Sequence, residues 1–73
     1  MSLTNQDKIG IVQQHIKNLQ LNKYNLEVSI VEENALQTPA QSTLDSLNSQ
    51  IADVVAKLAV LDTELTTLQQ AGQ

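Results

Sequence analysis

The chain has 73 residues and a mass of 8.0 kDa, with four lysines, no arginine, eight acids and no cysteine, for a net charge of -4. No disulfide frame or thiolate metal site can form, and the clustered cations that displace phosphate counterions are missing, so nucleic acid is not an expected partner. A chain this short holds one domain, whose core rarely supplies more than about 3–5 kcal/mol, and eleven leucines beside a single aromatic residue suit a helix seam better than a globular core.

The first predicted element opens at Thr4, an N-cap residue followed by Asp7 in the first turn. Ile9, Val12, Ile16, Leu19, Leu26 and Ile30 then recur at heptad a and d positions, with Lys23 at an a position and Glu33 at a d position. Lys23 there either snorkels out of the seam or sets its register, as polar a-position residues do. Tyr24, Leu26, Val28 and Ile30 alternate as in a half-buried strand. A lone strand would leave unpaired ladder groups on both edges, and the segment also resolves helically. Leu21, Tyr24, Val28, Val31 and Ala35 are spaced 3, 4, 3, 4 and form a second apolar stripe, far around the helix from the first. The reading is a helix over about 5–36, with Asn22 and Asn25 as the place for a kink or break.

The predicted turn spans about 36–38. Thr38-Pro39-Ala40-Gln41 matches a capping box, in which Thr38 caps, Pro39 occupies the first helical turn and Gln41 reaches back. The second helix is expected over about 39–70. Its Leu44, Leu47, Ile51, Val54, Leu58, Leu61, Leu65 and Leu68 keep the 3, 4 spacing without a glycine or proline to interrupt them.

So short a connection makes the two helices antiparallel neighbours. The fold class is therefore all-α, an antiparallel two-helix hairpin of coiled-coil type over residues 1–73, in which facing residue numbers sum to about 75. That seam uses one face of each helix. The stripe of Leu21, Tyr24, Val28, Val31 and Ala35 remains on helix 1, and Ala52, Ala56, Ala59, Thr63 and Thr66 line the back of helix 2 with Val55 and Val60 beside them. An apolar stripe of this extent is interface-sized, so the hairpin is expected to form part of an oligomeric helical bundle, with protein as its partner and itself as the first candidate.

Charge is uneven along the rod. Glu27, Glu32, Glu33 and Asp45 lie in residues 24–50 with no lysine among them, which makes the turn end an acidic tip. Either that tip is solvated and compensated by the N-terminal dipole of helix 2, or it docks a basic partner. Elsewhere the surface is rich in amides and hydroxyls, which suits contact with other protein better than the Glu/Lys pairing of free coiled coils.

Little in the chain supports chemistry. His15 has no His, Asp or Glu three or four residues away, so neither a metal nor an acid/base role is expected. Glu32 and Glu33 point to different helix faces, and Ser42 and Ser46 lack a base on their face. No catalytic residue, metal ligand or cofactor is assigned. No apolar run is long enough for a membrane span or a signal-peptide core, which makes a cytoplasmic location the expectation.

Met1-Ser2-Leu3-Thr4-Asn5-Gln6-Asp7-Lys8 and Leu47-Asn48-Ser49-Gln50-Ile51-Ala52-Asp53 resemble short helical-hairpin proteins of unknown role encoded by tailed bacteriophages. The resemblance covers most of the chain and transfers no functional residue. It implies a virion component or a phage assembly accessory, and hence a virion-associated location as the alternative to the cytoplasm. The function expected is structural: an oligomerising hairpin that bridges or decorates a larger assembly. A small regulatory or chaperone-like module that captures a partner helix is the second expectation.

Overall fold

The computed structural model describes residues 2–71. Two helices, α1 over Asn5–Asn34 and α2 over Gln41–Ala71, run antiparallel in contact along a rod of 55 × 18 × 15 Å. Among the described residues there is no strand. The alternation over 24–30 therefore resolves as helix, and α1 runs unbroken through Asn22 and Asn25. The Ser29 hydroxyl donates to the Asn25 carbonyl at 3.0 Å, a back-bond that occupies the hydroxyl within its own helix.

The start of α1 follows from its local sequence. Asp7 N–H donates to Thr4 Oγ1 at 3.1 Å and Thr4 N–H donates to Asp7 Oδ2 at 3.2 Å, a reciprocal capping box with a carboxylate at the positive end of the helix. At the other end Ala35 N–H is shared between the Val31 and Glu32 carbonyls, and Leu36 N–H reaches the Glu33 carbonyl at 3.2 Å. Tightening to i→i−3 bonds closes the last turn without a left-handed glycine.

The start of α2 departs from the sequence reading. Leu44 N–H donates to the Ala40 carbonyl, so Ala40 fills the cap position and Pro39 lies outside the helix. Thr38 is exposed, and Gln41 Nε2 donates forward to Asp45 Oδ1 at 2.8 Å instead of reaching back. The acceptor at this terminus is Glu33: its Oε2 receives Ala40 N–H at 3.0 Å across the turn. A carboxylate from α1 thus supplies what the local capping box was expected to supply, and it sits where the α2 dipole favours negative charge. The connection is longer than expected, 35–40 rather than 36–38, and the helices run 5–34 and 41–71 rather than 5–36 and 39–70.

Burial follows the heptads. In α2 the residues that are not fully exposed are Leu44, Leu47, Ile51, Val54, Leu58, Leu61, Leu65 and Leu68; in α1 they are Ile9, Val12, Ile16, Leu19, Lys23, Leu26, Ile30 and Glu33, joined by Asn5 and Ser29. Asn5 extends the d positions one heptad before Val12. Among the described residues only Val54 and Leu68 are buried outright, because a pair of helices covers each seam side chain from one direction and leaves its flank open.

Gly10 sits in the interior of α1 at negative φ, and a Cβ built there meets nothing within 4 Å. Glycine costs a helix interior about 0.8–1 kcal/mol relative to alanine. Gly10→Ala should therefore raise the melting temperature by about 4–8 °C in a domain of this size, as thermal circular dichroism would show. A fall would mean that another molecule approaches the backbone at this position.

Candidate interaction surface

The surface is larger than a protein of this mass normally shows. Its solvent-accessible area is 5445 Å², against about 4,450 Å² for a compact monomer of 8.0 kDa. The radius of gyration is 16.7 Å, against about 11 Å for a globule of the same length. The excess follows from a rod with one seam and two open flanks.

Much of the excess is apolar. Leu21 is 56% exposed, Tyr24 65% and Val31 68%, while Val28 is exposed at 37%. They follow b and f positions of α1, directly away from α2. Ala35, the fifth member of the stripe, is exposed at the α1 C-cap. On α2, Val55 and Val60 are exposed, and so are Ala52, Ala56, Ala59, Thr63 and Thr66. The hydroxyls of Thr63 and Thr66 donate to the carbonyls of Ala59 and Asp62. These polar groups are thereby occupied within the helix, which leaves a face of small side chains. Leu3, Ile11 and Leu36 are exposed as well and were not singled out by periodicity, since none belongs to a continuous stripe.

The acidic tip divides on inspection. Glu33 is half-buried and tied to the turn by its bond to Ala40, whereas Glu27, Glu32 and Asp45 are exposed. Glu33 is thus a structural carboxylate, and the exposed charge of the tip comes from the other three. The polar faces are knitted by pairs one turn apart, Gln14 Nε2 to Asn18 Oδ1 at 3.0 Å and Gln50 Nε2 to Ser46 Oγ at 3.3 Å, each contributing a few tenths of a kcal/mol.

One flank of the rod forms an open groove of about 570 Å³, lined by His15, Asn18, Leu19, Ala56, Lys57, Val60 and Leu61. Its floor is seam leucine, and its rim carries an imidazole and an ammonium. The sequence reading considered His15 alone, without Lys57. Their numbers sum to near the register value of 75, the signal that could have brought them together. Among the described residues no group of three His, Cys, Asp or Glu side chains could hold a metal ion, and no helix is long and apolar enough to cross a membrane. No protein family, curated protein or solved structure matches the chain.

Proposed function

We propose that the protein is a non-enzymatic structural element, a helical hairpin that oligomerises and so bridges or decorates a larger protein assembly. The observation that carries this reading is the exposed stripe of Leu21, Tyr24, Val28 and Val31, set opposite a seam that is itself only half-covered. Leaving such a surface in water forgoes about 25 cal/mol for every Å² that could be buried. The resemblance to phage hairpins would make the assembly a virion or a phage assembly intermediate. Light scattering at micromolar concentration, with co-purifying proteins retained, tests the proposal. A mass at a multiple of 8.0 kDa or a stable complex supports it; a monodisperse monomer without a partner overturns it.

The groove between Leu19 and Leu61 favours a second reading, in which the hairpin captures one helix of a partner as a regulatory or chaperone-like module. The two readings differ in the free protein. A captor stays monomeric until its partner arrives, whereas a structural hairpin associates alone.

A further inference from the structure

Charge along the rod falls into three zones. The tip holds Glu27, Glu32, Glu33 and Asp45 without a lysine and carries -4. The middle holds Lys17, Lys23 and Lys57 against Asp53 and carries +2; the open end holds Lys8 against Asp7, Asp62 and Glu64 and carries -2. Lys17 stands in the same heptad column of α1 as Tyr24 and Val31, and with Lys23 it forms a lysine band of +2 on α1; Lys57 reaches the same height but belongs to the flank lined by His15 and Val60.

We propose that two copies of the hairpin pair antiparallel, each acidic tip lying along the lysine band of the other. This rests on the oligomerising reading and names its partner. The area argues for a second copy: the surface in excess of a compact monomer is about 1,000 Å², close to the roughly 800 Å² that each side of a stable interface buries.

Charge sets the orientation. Packed helices lie about 8–10 Å apart, comparable to the screening length at physiological salt of about 8 Å. A parallel pair would hold two -4 tips at that distance, whereas an antiparallel pair sets each tip against +2. Matching tip to band puts the two-fold near Tyr24 and overlaps the rods over about 40 Å. That overlap takes in Leu21, Tyr24, Val28, Val31 and Val55, all exposed in the single hairpin. It leaves the open-end acids at or beyond the partner's turn.

Gln37, exposed in the turn of a chain without cysteine, permits a direct test. A spin label on Gln37→Cys should report a tip-to-tip distance of about 40 Å, from about 25 residues of helical rise between the two turns. A distance under about 20 Å, with a dimer mass, means a parallel pair and overturns this inference while the oligomerising reading stands. A monomer without dipolar coupling overturns both. Lys17→Glu, at an exposed position, should shift the dimer to monomer with helicity retained. Adding Glu27→Lys, Glu32→Lys and Asp45→Lys to that chain inverts the tip against the new carboxylate and should restore the dimer. A dimer indifferent to Lys17→Glu overturns the charge-matched arrangement.

Discussion

Leu47→Asp should unfold the hairpin, while Val60→Asp, an equally drastic change in the same helix, should leave its helicity nearly intact. Leu47 is a half-buried seam residue of α2, and Val60 is 68% exposed. Burying a leucine contributes about 1.5–3 kcal/mol, and a carboxylate put in its place must be desolvated. Lys23 stands one layer along the seam, but residues 24–50 hold four acids and no lysine, so the new charge joins the acidic end of the rod. The combined loss matches or exceeds the about 3–5 kcal/mol that a core of this size supplies. Far-ultraviolet circular dichroism of the two variants decides the matter, and a folded Leu47→Asp would mean that the seam does not hold the hairpin together.

The contrast between those two positions was readable in the sequence, because a two-helix seam is written as a period. Each of the eight apolar a and d residues of α2 is less exposed than its neighbours, and the same spacing in α1 predicted that Lys23 and Glu33 would share the seam. Local cap chemistry was legible at Thr4, where both bonds of the box lie within three residues. It misled at Thr38. There the decisive acceptor comes from Glu33, seven residues before the Ala40 N–H it receives, and no local pattern can encode a bond that closes only when the chain has turned. The flanking groove was equally hidden, since His15 and Lys57 are brought together by register and by no motif.

Lys23 and Glu33 also show how the rod tolerates polar groups in its seam. Among the described residues no buried side-chain nitrogen or oxygen lacks a partner. Glu33 meets this condition through the turn amide, at the end of the seam where water is near. Lys23 lies mid-rod but is only half-buried, so its stem covers apolar surface while its ammonium reaches solvent. Both depend on a seam that is open at the sides. A second copy laid on one flank would close it, making the flank that Lys23 uses a determinant of which side can be covered.

Val28→Glu is the substitution that separates the seam from the outer stripe. Val28 lies at the centre of Leu21, Tyr24, Val28 and Val31, on the face of α1 turned away from α2, and is exposed at 37%. In the isolated hairpin the new carboxylate stands in water. Its cost there is limited to like-charge repulsion from Glu32 four residues on, about 0.2–0.5 kcal/mol, together with proximity to Glu27. Helicity should therefore fall only slightly. If the stripe is covered by another chain, the same carboxylate is driven into an apolar contact without a counter-charge, at a desolvation cost that an interface of this size does not offset. The expected result is a mass that drops to monomer, or a co-purifying partner that is lost, while the circular dichroism spectrum is preserved. An assembly unmoved by Val28→Glu would show that the outer stripe faces solvent and that any association uses the open flanks of the seam instead.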